Sequence, residues 1–200
     1  MKKLRLINRS QKGFTLIELL VAIAIAAVVG ATVTVCIQQV MAKTVFSNNQ
    51  LTTLNQVRNV GYWINHDVVM SQPGEVWVIT GDDPSTDRYE LLQLKRKVWN
   101  ETERDYSSYV CNFTYYFLDN TGIQDLHRED YNATTSPPGI TDIIIAQYID
   151  VANTNCTYEP PDEEGETKGS ITLNVTARYP EEGNSVVKTK TFQISFRLTA

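Results

Sequence analysis

From Phe14 to Ile37 the chain reads FTLIELLVAIAIAAVVGATVTVCI, about 24 residues with Glu18 as the single charged side chain, enough to cross a hydrocarbon core of ~30 Å as a helix. Polar residues then return, but Leu51, Leu54, Val57, Gly61, Ile64 and Val68 recur at steps of three and four. That period marks one apolar face of a continuing helix. The first proline is Pro73, so the pattern predicts a single helix from about Phe14 to Met70, roughly 85 Å long at 1.5 Å per residue. The stripe on its outer half lasts only about two and a half heptads, too short for a coiled coil. A sheet of the same chain is the expected cover.

The helix is expected to end in the turn-rich stretch Ser71–Gly74. Beyond it, β-rich runs alternate with turn residues. Strands are predicted at 75–80, 88–99, 109–118, 122–127, 141–149, 169–179 and 186–199, with breaks at Gly81-Asp82-Asp83-Pro84, Asp119-Asn120-Thr121-Gly122, Ser136-Pro137-Pro138-Gly139 and the acidic segment Glu159 to Glu166. Short reversals favour antiparallel pairing, because parallel neighbours need long crossovers. The expected fold class is therefore α+β, one helix layer on one sheet layer. No fixed-period repeat divides it.

Charge sharpens the N-terminal reading. Lys2, Lys3, Arg5, Arg9 and Lys12 put five of the 18 basic residues ahead of the apolar run, with no acid among them. A basic flank belongs on the cytoplasmic side, which places the rest of the chain outside the cytoplasm. The chain beyond this leader carries 13 basic and 23 acidic residues, a net charge near −10, and such a body argues against general nucleic-acid binding. The apolar run is too long for a secretory signal core of about 7–15 residues. An uncleaved anchor fits its length, but an inert anchor has no use for Glu18, since an acid inside a bilayer costs about 2.5–3.5 kcal/mol on insertion scales. Either the carboxylate snorkels or is protonated, or it pairs with a cation. A cut after Gly13 would create one at the amine of Phe14, and glycine lets the backbone enter a protease site without side-chain hindrance.

The motif Gly13-Phe14-Thr15-Leu16-Ile17-Glu18, behind a basic leader and ahead of an apolar helix, resembles the processing site of bacterial type IV pilins and of the pseudopilins of type II secretion. The resemblance covers about the first 40 residues. It implies a pilin-like fold with residues 1–13 as a cleaved leader, 14–37 as the transmembrane part of the helix, and 38–200 as an exported domain whose sheet region begins near residue 71. It further implies cleavage between Gly13 and Phe14 by prepilin peptidase, N-methylation of Phe14, and a Glu18 that binds the terminal amine of a neighbouring subunit. The partners would be other pilins or pseudopilins, contacted through the helix, and an inner-membrane assembly platform. Many major pilins carry a proline within the membrane helix, and this chain has none there. Two further arrangements resemble minor pseudopilins of the J type and related minor pilins: Asn65-His66-Asp67-Val68-Val69-Met70 at the helix end, and Phe113-Thr114-Tyr115-Tyr116-Phe117-Leu118-Asp119 followed by Gly122-Ile123 and Leu126-His127-Arg128.

The remaining chemistry is sparse. Cys36 reads as a small hydrophobe within the span, whereas Cys111 and Cys156 both fall in the exported part, where a disulfide is possible. The two histidines, His66 and His127, match neither a metal-binding helix nor a nucleophile turn. Their acidic neighbourhoods, Asn65-His66-Asp67 and His127-Arg128-Glu129-Asp130, read as solvated helix-end and loop residues. Asp119, Asn120 and Asp125, or the run Asp162 to Glu166, offer hard oxygens to calcium without the order of an EF-hand. No other cofactor is expected. Asn-x-Thr sequons at Asn100, Asn112, Asn132, Asn155 and Asn174 need a glycosyltransferase in the compartment to matter. Trp77, Tyr115, Tyr116 and Phe117 read as core or subunit contacts. A structural subunit of a filament, a minor pilin or pseudopilin and not an enzyme, is the expectation. The alternatives are a competence or DNA-uptake subunit, a surface adhesin, or a membrane-tethered enzyme or metal-binding module.

Overall fold

A computed structural model describes residues 13–71, 76–77, 81–83, 88–100, 104–132, 139–162, 169–179 and 185–196; side chains are described in these ranges except at 76–77, 81–83, 97–100 and 105–111. The leader residues 1–12, the Pro84, Pro137 and Pro138 turns, the acidic residues 163–166 and the side chains of Trp77, Asn100 and Cys111 lie outside them. The predicted helix is one element, α1, Leu16–Met70, of 55 residues. It contributes to two compact units, divided between Val45 and Phe46.

In the first unit no described residue is buried, and Leu16, Leu20, Ile23, Val28 and Val33 are all exposed. α1 is long and apolar enough over this stretch to cross a membrane. Threonines inside the run are reconciled with an apolar surround by bonding back to their own helix: Thr32 Oγ1 donates to Val28 O at 2.7 Å and Thr34 Oγ1 to Gly30 O at 2.9 Å.

In the second unit α1 buries Thr53, Val57, Val60, Gly61, Ile64, Asp67 and Val68, so the stripe is the predicted one from Val57 onward. Leu51, expected within it, is exposed. Among the described residues nine strands come after it: β1 Val76–Trp77, β2 Gly81–Asp83, β3 Arg88–Asn100, β4 Asp105–Phe117, β5 Ile123–Asn132, β6 Gly139–Asp150, β7 Asn155–Glu159, β8 Ser170–Tyr179 and β9 Val186–Ser195, with a 3-10 turn at Val151–Asn153. Every pair is antiparallel, in the order β1-β3-β4-β5-β6-β8-β7, with β2 also on β3 and β9 on β8.

Three expectations change. Gly81-Asp82-Asp83, read as a turn, is β2, with Asp82 opposite Tyr89. The charged run after His127, read as loop, lies within β5, where His127 and Glu129 face one side and Leu126 and Arg128 the other; the polar residues alternate as a two-faced strand requires. Residues 155–159, not predicted as a strand, pair with β8, Cys156 opposite Leu173. The turn at 118–122 is as expected: Asp119 Oδ1 accepts the Thr121 N–H at 3.2 Å, and Gly122 takes φ +74°.

The core lies between the outer half of α1 and the inner sheet face. It joins Val57, Val60, Ile64 and Val68 to Leu92, Phe113, Tyr115, Phe117, Leu173 and Val175, among others. Gly61 is required here, because a Cβ would overlap the Phe192 ring of β9. The β6–β8 junction is made by Ile149 opposite Ala177, just past Tyr148, whose φ of +62° bends the strand. At this bend the Gln147 N–H leaves the ladder and donates to Gln56 Oε1 of α1 at 2.8 Å.

Candidate functional site

At the start of α1, Gly13 and Phe14 are fully accessible, and a Cβ at position 13 would meet nothing within 4 Å. Thr15 caps the helix. Its carbonyl accepts the Leu19 N–H at 3.2 Å, its hydroxyl accepts the Glu18 N–H at 3.3 Å, and Glu18 Oε2 accepts the Thr15 N–H at 3.0 Å and the Thr15 hydroxyl at 2.9 Å. This is a reciprocal capping box, which satisfies two otherwise orphaned donors at a helix start. Glu18 also borders a shallow apolar depression of about 400 Å³ with Phe14, Ile17, Val21, Ala22 and Ile25. Oε2 holds both bonds to Thr15, so the second oxygen, Oε1, keeps acceptor capacity for a donor from outside the turn.

Asp67, near the other end of α1, is fully buried. Arg128 of β5 donates to it through Nε at 2.7 Å and Nη2 at 3.1 Å, the Tyr115 hydroxyl of β4 donates at 2.5 Å, and His66 Nδ1 lies 3.1 Å from Oδ1. The guanidinium lies over the rings of Phe113, 4.5 Å away, and Trp63, 5.0 Å away. Burial alone would lower the Arg128 pKa, but the hydrogen bonds and charge of Asp67 outweigh it and hold the guanidinium above its usual value. Burial, then the charge of Asp67, pushes the Tyr115 phenol well above 10. A carboxylate with this many donors is saturated, and its work is to fasten helix to sheet.

On the outer sheet face, Tyr116 stacks on His127 with ring centroids 5.0 Å apart and donates to Asp142 at 2.8 Å. His127 Nδ1 lies 3.4 Å from the same carboxylate. Arg88 covers the Tyr116 ring at 4.3 Å and bonds Glu129 at 2.8 Å. Burial, then the bond to Asp142, pushes the Tyr116 phenol up to about 12.

The other candidates are dispersed. Cys156 is a free thiol, buried on the inner face and pushed up to about 12 by that burial; the Cys111 side chain lies outside the described residues. Asp119 is occupied by Thr121 and Asp125 accepts from Gln147 Nε2 at 3.4 Å. Among the described residues no three His, Cys, Asp or Glu side chains converge as metal ligands. Of the sequons, Asn155 is exposed, while Asn112 is half-buried with its Oδ1 sealed from solvent. Read as solvated charges, Asp67 and Arg128 prove to be an interior pair; the signal for them was the place of Asp67 three residues after Ile64 on the buried stripe, and a lone arginine in a tyrosine-rich hairpin.

With this geometry in place, the class is set by the N-terminus. Residues 8–34 match the family model of the prokaryotic N-terminal methylation motif. The chain thus carries the signature of type IV pilins and pseudopilins, a family of structural subunits, and the one helix among the described residues that is long and apolar enough to cross a membrane fits an anchor of that kind. No curated protein and no solved structure matches the chain.

Proposed function

We propose that this chain is the precursor of a filament subunit of a type IV pilus or a type II secretion pseudopilus, in its finer form a minor subunit of J-type character. Prepilin peptidase cuts between Gly13 and Phe14, the Phe14 amine is methylated, and the subunit waits in the inner membrane with residues 38–200 outside the cytoplasm. On joining the filament, Glu18 receives the amine of a neighbour's first residue. The observation that carries this reading is the matched motif at residues 8–34. The local geometry supports it in two ways. Among the described residues a Cβ at position 13 would meet nothing within 4 Å, so the Gly13–Phe14 bond lies open to a protease. Glu18 is held by its own turn with acceptor capacity in reserve, beside an apolar depression suited to a second helix. Mass spectrometry of the mature N-terminus tests it: the expected product begins at N-methylated Phe14, and an intact leader or a cut elsewhere sinks the reading.

A further inference from the structure

The outer face of the sheet is divided. Over β7 to β9 it is a field of amides and hydroxyls that satisfy one another: Thr176 and Thr189 hydroxyls pair at 2.9 Å and Thr191 donates to Asn174 at 2.6 Å. Over β4 to β6 it carries large aliphatic side chains instead, Leu118 59% exposed, Ile123 37%, Ile140 63% and Ile144 52%. Leu118, Ile123 and Ile144 line a shallow hollow of about 400 Å³ with Gln124, Asp125 and His127. Aliphatics gathered on one patch rather than scattered mark an interaction surface. Its rim is acidic: Asp125 lines it, Asp142 sits against His127, and Asp119 follows Leu118. The Arg88 cation beside this cluster is taken by Glu129.

We propose that this hollow docks a neighbouring filament subunit of different sequence, which inserts an aliphatic side chain flanked by Lys or Arg. The proposal rests on the filament reading above and adds the partner's chemistry to it. The argument is charge complementarity around an apolar centre, an arrangement that steers association and excludes wrong partners. A second copy of the chain fits less well. Beyond the leader the chain carries 13 basic and 23 acidic residues, so a second copy would bring its own excess of acid to an acidic rim.

The test uses the full chain in cells that assemble the filament, with a photo-crosslinking residue in place of Ile144 and, as control, of Thr191 on the amide-hydroxyl field. The expected adduct joins position 144 to a different protein carrying the methylation motif, on a peptide with Lys or Arg beside the acceptor aliphatic residue. The control yields less than about a tenth of it, and Asp125→Lys lowers the yield about tenfold without moving the thermal midpoint, the size expected for reversing a charge at an interface rim. Equal yields at the two positions, an adduct between two copies, an acceptor peptide without basic residues, or indifference to Asp125→Lys overturns the proposal. Absence of any adduct overturns it whichever state Phe14 is in. The N-terminus is read from the same sample, so a methylated Phe14 without an adduct removes the docking surface and leaves the filament reading standing.

Discussion

Helix α1 carries one acid near each end, and the two live under opposite rules. Among the described residues Glu18 is exposed and bonds within its own first turn, to Thr15. Asp67 is fully buried, and two of its partners come from strands 48 and 61 residues away, Tyr115 and Arg128. The first half of the helix presents apolar side chains to its surroundings, and the second hides a narrower stripe beneath a sheet. A carboxylate with only local partners adds nothing to the tertiary fold and remains available to another chain. A saturated one is committed to its own fold.

The largest expected effect comes from removing the saturated acid. Asp67→Ala takes the hydrogen-bonded counter-charge from the buried Arg128 guanidinium and leaves only the partly exposed Asp130 carboxylate, 3.8 Å from Nη2, so the loss should be about 3 kcal/mol, the low end for a broken buried pair. Denaturant unfolding of the full chain in detergent reads it, and a loss below about 1 kcal/mol would erase the distinction between the two acids. Arg128→Met in the same background should recover much of the loss, because the buried charge left with only a distant partner is then gone. Next in size is Gly61→Ala, whose new methyl overlaps the Phe192 ring and should destabilise by about 1–3 kcal/mol as overpacking does. Phe192→Leu should relieve it, and failure of that rescue would place the strain elsewhere.

A smaller effect is set by pH. The Tyr115 phenol is held protonated well above 10, first by burial and then by the Asp67 charge. An unfolded tyrosine ionises near 10, so the stability is fully present below that pH and is lost as pH rises from there toward the folded value. Unfolding midpoints compared between about pH 8 and pH 10.5 should fall less in Tyr115→Phe than in the parent chain. Cys156, raised to about 12 by burial, should resist a maleimide at neutral pH in the folded domain and react on unfolding; a Cys156 that stays unreactive after unfolding without reductant would instead point to a bridge with Cys111. Smallest of all on stability is Glu18→Ala, which should leave the midpoint of the exported domain unchanged while abolishing incorporation into the filament. Full incorporation would break the comparison from its other side.

The helix was legible because its signals are local: apolar run, three-and-four spacing and absence of proline depend on residues near one another in the chain. The Thr15–Glu18 cap needs only four consecutive residues, yet it does not follow from reading Glu18 as an acid stranded in an apolar run. Arg128 was misplaced for the opposite reason. A charged residue in a strand contradicts local propensity, and only the arrival of Asp67 from 61 residues away makes its burial favourable. Asn155–Glu159 escaped notice because five residues with polar Asn and Thr outward carry little apolar signal, and pairing with β8 decides the matter. The resemblance to J-type subunits had singled out both Asp67 and Arg128 as part of its motifs, without the contact between them.

The bend at Tyr148 also divides the backbone pairing of the sheet unequally. β3 and β4 share ten registered pairs and β8 and β9 share ten, whereas β6 and β8 share the single pair Ile149 and Ala177. The seam is therefore closed by side chains more than by a ladder, Arg178 on Asp150 at 2.7 Å and the Tyr148 and Tyr179 rings 4.8 Å apart, and amide hydrogens beside it should exchange faster than those within either long ladder.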